Sequence, residues 1–281
     1  MTVFRKVFDF FIFSSLYISL CAVLMLYQTD WLLFRSTPSF NLSCFVFFST
    51  VCSYNFHWYL TPYSVKFSQR IHWAQQHKGL HLILYFLGLA GSIIFFFTIK
   101  EHWLALSFAA FVTFLYSAPK LPQHFFRELK KIAIGKTIFL AFVWMYVTAV
   151  LPVLVANKSW TTAYTLFAIS RFTLIYAICI LFDYRDREDD KQEGIRSMIT
   201  YLNERGINTL FAISLILFGL STFALAAYNY DVYLIIILLI PGIITALLRG
   251  YSKKNFSDYF YYFILDGLMM LSALLMLFFE I

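Results

Sequence analysis

The chain has 281 residues, of which 61% are hydrophobic, 21% aromatic and only 13% charged. With a mean hydropathy of +0.73, that is about half the charge of a soluble domain, which excludes a water-soluble globular protein and points to a polytopic membrane protein. The formal net charge of +7 suits anionic headgroups and anionic lipid substrates. The basic residues sit in short loops rather than on a separate domain, which argues against nucleic acid as a partner.

Windows of ~20 apolar residues predict nine spans, at residues 8–27, 40–60, 80–99, 102–117, 136–155, 162–182, 207–227, 231–248 and 258–280. They occupy most of the chain, so the expected fold class is all-α, one integral membrane domain over residues 1–281 with no room for a soluble module. The first apolar run follows Arg5 and Lys6 in the manner of a signal peptide. It is long and lacks an obvious small-residue cleavage site, so it reads as the first helix. With the N-terminus inside, all of the 22 Lys and Arg residues except Arg35, Lys100, Lys158 and Arg171 fall on the cytoplasmic side. An odd number of spans then places the C-terminus outside.

Cys21, Cys44, Cys52 and Cys179 all fall within predicted spans without CxxC spacing, and they read as small buried hydrophobes rather than disulfide or zinc residues. Arg171 and Asp266 also fall within spans, where an ionisable group is costly unless paired or hydrated. Either the two form an ion pair or each lines a polar cavity. The abundant Phe and Tyr can line a greasy tunnel and stabilise a carbocation through their π faces, yet most must face lipid or pack helices.

The densest chemistry follows the sixth span, in the run LFDYRDREDDKQEG at 181–194. Asp183, Asp186 and Asp190, spaced by three and seven residues, fall within about 60° of one another around a helix. Three carboxylates on one face can hold a hard divalent cation together with phosphate oxygens. Glu188 projects away from that face, and Arg185, Arg187 and Lys191 are available charge partners. The plain alternative is a solvated, mixed-charge helix end. Continuity with a hydrophobic helix at the membrane edge favours the cation site.

The string DYRDREDDKQEGIRSM resembles the second aspartate-rich motif of the UbiA superfamily of intramembrane prenyltransferases, in which a Gly and a basic residue follow, here Gly194 and Arg196. Nine spans match that family's architecture of helices around a central cavity. The segment YSAPKLPQHFFRELKK at 116–131 is similar to the family's loop between the fourth and fifth helices, which carries basic residues toward the diphosphate. The resemblance implies Mg2+ at Asp183, Asp186 and Asp190, and substrate contacts from Asn55, Lys120, Arg127, Lys131 and Arg196. It also implies a prenyl diphosphate donor, a lipophilic aromatic or quinone-precursor acceptor, and a membrane-lipid environment.

One departure bears on activity. The family's first motif is an Asn followed at four and eight residues by Asp, whereas the matching segment here is NFHWYLTPY at 55–63. Asn55 is present, but Tyr59 and Tyr63 occupy the carboxylate positions. A phenol with a pKa near ~10 is a poor magnesium ligand. His57 lies two residues before the first missing carboxylate and reads as a hydrogen-bonded packing residue rather than a ligand. The sequence therefore leans toward a prenyltransferase, with a catalytically impaired relative that binds an isoprenoid lipid or a membrane partner as the alternative. A transporter ranks last, because Pro62, Pro119, Pro122 and Pro152 fall near span ends rather than breaking paired helices.

Overall fold

Each apolar run becomes a helix, because a backbone in lipid must satisfy its own hydrogen bonds. A computed structural model describes residues 3–61, 68–120, 136–192 and 197–280. In chain order these contain α1 (Val3–Phe13), α2 (Leu16–Phe34), α3 (Phe40–Tyr59), the short α4 (Gln69–Gln76), α5 (Lys78–Thr98) and α6 (Trp103–Ser117). There follow α7 (Thr137–Val155), α8 (Thr162–Gln192), the single turn α9 (Met198–Tyr201), α10 (Glu204–Ala224), α11 (Val232–Ser252) and α12 (Phe260–Phe279). No strand occurs among the described residues. The fold is an all-α polytopic membrane protein. Seven of these helices, α2, α5, α7, α8, α10, α11 and α12, are long and apolar enough to cross a membrane. The 20-residue α3 and the 15-residue α6 occupy the other two predicted positions.

The first span is placed differently from the sequence expectation of 8–27. The helix breaks at Ser14 and Ser15, where Ser15 adopts a left-handed φ of 69°, and the long helix runs instead from Leu16 to Phe34. Hydropathy stops short at Gln28, Thr29 and Asp30 because they are polar, yet all three are buried. Gln28 donates to Ser272 of α12 at 2.9 Å and Thr29 to the Thr148 carbonyl of α7 at 2.5 Å, so for these two side chains partners in other helices offset the desolvation.

Helix starts are capped locally. Ser39, Ser68, Asn203 and Asp231 accept backbone N–H groups at the starts of α3, α4, α10 and α11, and Ser197 and Thr200 form a capping box at α9. The longest helix, α8, is the hub. Residues 174–181 are buried on every side, the pattern of a helix enclosed by others. At the periphery α5 exposes Ile83, Leu87 and Phe97, and α10 exposes Ile216, Leu220 and Phe223, a lipid-facing surface in a membrane protein.

The tightest helix pair is α3 with α5. A Cβ at Gly88 would lie 2.6 Å from the Cys52 backbone nitrogen and 2.9 Å from the Phe48 carbonyl oxygen. The glycine is what lets the two backbones meet, as small residues do in membrane helix pairs.

Arg171 is buried in α8 and does not pair with Asp266. Its guanidinium donates to the Met25 carbonyl (3.2 Å), Gln28 Oε1 (2.8 Å) and Thr148 Oγ1 (3.3 Å), and lies 4.8 Å from the Phe167 ring centroid. Neutral oxygens of α2 and α7 thus hold this cation as a cross-link of three helices.

Candidate functional site

At 1.5 Å per residue, the 31 residues of α8 reach about 46 Å, well beyond a hydrocarbon core of ~30 Å. Its last three turns, which carry Asp183, Asp186 and Asp190, therefore continue as one helix past the apolar segment. Asp183 is buried and accepts the hydroxyl of Thr137 from α7. Asp186 keeps 43% of its side-chain surface exposed and accepts from Arg185 Nε at 2.7 Å and Nη2 at 3.3 Å. Asp190 is buried. Glu188 faces outward and pairs with Lys191 at 2.9 Å, while Arg187 reaches Glu204 at 3.2 Å.

Arg185 belongs to a larger cluster at the same end of the bundle. Its guanidinium lies 4.4 Å from the Tyr261 ring centroid, donates to the Tyr262 hydroxyl at 3.0 Å and approaches Asp258 at 3.7 Å. A second buried cation, Arg70 of α4, lies 4.2 Å from the Trp58 ring and 4.4 Å from the Tyr262 ring, a desolvated cation–π arrangement. Asp258 joins the two by also accepting the Arg70 backbone N–H at 3.0 Å and the Ser68 hydroxyl at 3.1 Å. Burial lowers the Arg70 pKa from its ordinary value, opposed by the anionic forms of Tyr262, Asp266 and Asp258.

The break between α1 and α2 feeds this cluster. Arg70 donates to the Ile12 carbonyl at 3.2 Å and to the Ser15 hydroxyl at 3.3 Å, and Asn55 donates to the Ser14 carbonyl at 3.0 Å. Both side chains thus take up groups around the interruption. Asn55 also donates to the Val51 carbonyl at 2.8 Å and accepts from His81 Nδ1 at 2.7 Å. It is completely buried, and its amide is committed to the break between α1 and α2, to α3 and to α5.

Lys120, just past α6, donates to Thr61 Oγ1 at 2.5 Å and lies 3.5 Å from the His57 carbonyl, against the C-terminal end of α3. A cation there also suits the negative end of the helix dipole. Tyr59, at a missing carboxylate position, is 38% exposed on the same helix end. His57 stacks on Tyr116 with centroids 5.2 Å apart, as a packing residue would. Arg127, Lys131, Arg196, Gly194 and Tyr63 lie outside the described residues.

His57 and Ser117 also line an apolar cavity of about 310 Å³ between α3, α5, α6 and α7, whose wall includes Tyr54, Tyr85 and Trp144. The basic end of Lys120 and the greasy cavity are therefore neighbours through His57. Trp58, Arg70, Asp258 and Tyr262 were not singled out by sequence. Arg70 counted only toward loop charge and the rings only toward aromatic content, and nothing local to either signals their meeting.

The sequence model of the UbiA prenyltransferase family matches residues 68–265, from just before α4 into α12 and including the acidic end of α8. The chain belongs to the UbiA prenyltransferase family. Comparison with curated proteins and with solved structures found no match. UbiA prenyltransferases generally use divalent metal ions. Among the described residues no three His, Cys, Asp or Glu side chains converge as a ready-made metal cage. The donor chemistry still fits Mg2+, which commonly takes one or two carboxylates and completes its shell with water and substrate phosphate oxygens. The half-exposed Asp186 beside the buried Asp190 is the part of α8 that suits such a shared site.

Proposed function

We propose that this UbiA protein transfers a prenyl group from a prenyl diphosphate to an aromatic or quinone-precursor acceptor, with the diphosphate bound at the cytoplasmic end of the bundle. The observation that carries the reading is the neighbourhood of Lys120, the Arg70 and Arg185 cluster and the acidic end of α8, set beside the apolar cavity that begins at His57 and Ser117. An anionic head and a hydrophobic tail need that pairing. Arg127, Lys131 and Arg196 are assigned to the same head group, and Asn55 holds the helices that frame it.

Mg2+ would be held by Asp186 and Asp190, with Asp183 alongside, and when bound it neutralises the diphosphate and assists its departure. Arg185 competes for Asp186 and adds positive charge beside the leaving group. The aromatic rings of Trp58 and Tyr262 exclude water from the neighbourhood of the reacting carbon.

A second reading has its own observation. Tyr59 and Tyr63 stand where the family has carboxylates, which favours a relative that binds an isoprenoid lipid without turning it over. The two readings separate in one assay: purified protein with geranyl, farnesyl and longer prenyl diphosphates plus magnesium, following binding and diphosphate release together. Release with an aromatic acceptor supports the enzyme. Binding without release supports the impaired relative, and neither would overturn both.

A further inference from the structure

The first helix, α1, has two faces of opposite character. Its 11 residues reach only about 16 Å, about half of a hydrocarbon core of ~30 Å, so it is too short to cross a membrane. Asp9, Ile12 and Phe13 are buried against the bundle, whereas Val3, Phe4, Val7 and Phe10 are exposed, Val7 by 62% and Phe4 by 80%. Val3, Val7 and Phe10 fall within about 60° of one another around the helix, so the apolar exposure forms a stripe.

The inner face grips Arg70. The Ile12 carbonyl accepts from Arg70 Nη1 at 3.2 Å, the Ser15 hydroxyl in the break that follows accepts from Nη2 at 3.3 Å, and the Phe13 ring centroid lies 5.7 Å from the guanidinium carbon. Phe13 also packs on Trp73 of α4, with centroids 5.9 Å apart, and on Tyr259 at 5.8 Å. Asp9 accepts the Tyr259 hydroxyl, and Tyr259 follows Asp258, the carboxylate that accepts the Arg70 backbone N–H at 3.0 Å. Moving α1 outward would strip the Ile12 carbonyl and the Phe13 ring from a cation that is only 3% exposed, which leaves buried charge without its partners.

Ring contacts fix where α1 sits. Phe8 lies 5.9 Å from Tyr259 and 5.2 Å from Phe263, centroid to centroid, so α1 lies against the start of α12, at the end of the bundle that carries the Arg70 and Arg185 cluster. Only Ser14 and Ser15 separate it from the membrane-crossing α2. The outward stripe therefore belongs to the rim of a membrane domain. Arg5 and Lys6, both exposed on the same helix, add the positive charge that anionic headgroups complement.

We propose that α1 is a docking helix for the lipid leaflet on the head-group side, and that its seat there holds Arg70 in the cluster. Val3, Phe4, Val7 and Phe10 enter the boundary between headgroups and acyl chains, as the apolar face of an interfacial helix does. In water the same stripe would stay hydrated at a cost proportional to its area. A second copy of this chain, the rival occupant, would bring Arg5 and Lys6 of both copies together, whereas anionic lipid neutralises them. Contact with the membrane is thereby tied to the position of a buried cation, whichever ligand the cluster takes.

The test uses the full chain in nanodiscs of phosphatidylcholine with phosphatidylglycerol. A nitroxide on Val7→Cys, corrected for label taken up by the unchanged chain, is probed by collision with oxygen, which concentrates among acyl chains, and with a water-soluble nickel chelate. It should meet oxygen more than nickel, the reverse of a label on Gln76→Cys at the exposed end of α4. A label at position 7 that favours nickel places α1 in water, and one shielded from both probes places it under protein; either result overturns the docking. Phenylglyoxal, which modifies accessible guanidinium groups, reads the seat of Arg70 by mass spectrometry. Val7→Glu combined with Phe10→Glu should lift α1 and open Arg70 to the reagent, while Arg171, buried and held by α2 and α7, stays protected. Val7→Leu combined with Phe10→Leu should keep both arginines protected. Arg70 still protected in the doubly acidic variant, or protection lost equally at Arg70 and Arg171, overturns the claim that docking of α1 seats Arg70.

Discussion

Gly88→Ala is the sharpest test of how this bundle is held together. The added methyl carbon would lie 2.6 Å from the Cys52 nitrogen, 2.8 Å from its Cα and 2.9 Å from the Phe48 carbonyl oxygen. Ordinary contact begins near 3.4 Å, so the closest pair is about 0.8 Å too near. Every obstructing atom is backbone, which no rotamer change can clear, so α3 and α5 must separate. Overpacking of this kind costs about 1–3 kcal/mol, against a helix-propensity gain of about 1 kcal/mol for Gly to Ala. The displacement would also strain the bond between Asn55 and His81 and shift Trp58 under Arg70. Thermal unfolding of the purified protein, followed by tryptophan fluorescence, should show a lower midpoint for Gly88→Ala. Gly219 of α10, where a Cβ would meet nothing within 4 Å, supplies the control, and Gly219→Ala should be neutral or slightly stabilising. Equal midpoints for the two variants would refute the claim that close backbone approach governs the α3 and α5 pair.

Other expectations concern the site and the topology. Asp186→Ala should remove magnesium-dependent diphosphate binding, measured by titration with and without EDTA; wild-type binding indifferent to both magnesium and the substitution would dismiss a metal-assisted site. Tyr59→Asp combined with Tyr63→Asp should strengthen metal-dependent binding or raise turnover, because unit charges at ~4 Å interact by about 4 kcal/mol at an effective dielectric of ~20. No gain in either quantity would count against Tyr59 and Tyr63 facing the diphosphate. Reporter fusions at Gln76 and Glu188 should both report cytoplasm and a C-terminal fusion the opposite side; different compartments for the first two would rule out a shared site.

Hydropathy is a local property, and what it determines survived. Eight of the nine predicted segments coincide with helices to within a few residues at most ends, because burying an unbonded backbone in lipid costs far more than any rival conformation gains. The spacing of Asp183, Asp186 and Asp190 was equally legible, since α8 runs unbroken through them and helical geometry alone sets their shared face. The tertiary structure decided the rest. The break at Ser14 and Ser15 depends on Arg70 and Asn55 being present to take up its polar groups. Arg171 is satisfied by α2 and α7 rather than by Asp266. Arg70 and Arg185 meet on opposite sides of one interaction network through Tyr262 and Asp258. These outcomes turn on the rotation and register of one helix against another, where an ångström decides a hydrogen bond or a cation–π contact, and the order of apolar residues along a single helix carries no record of that register.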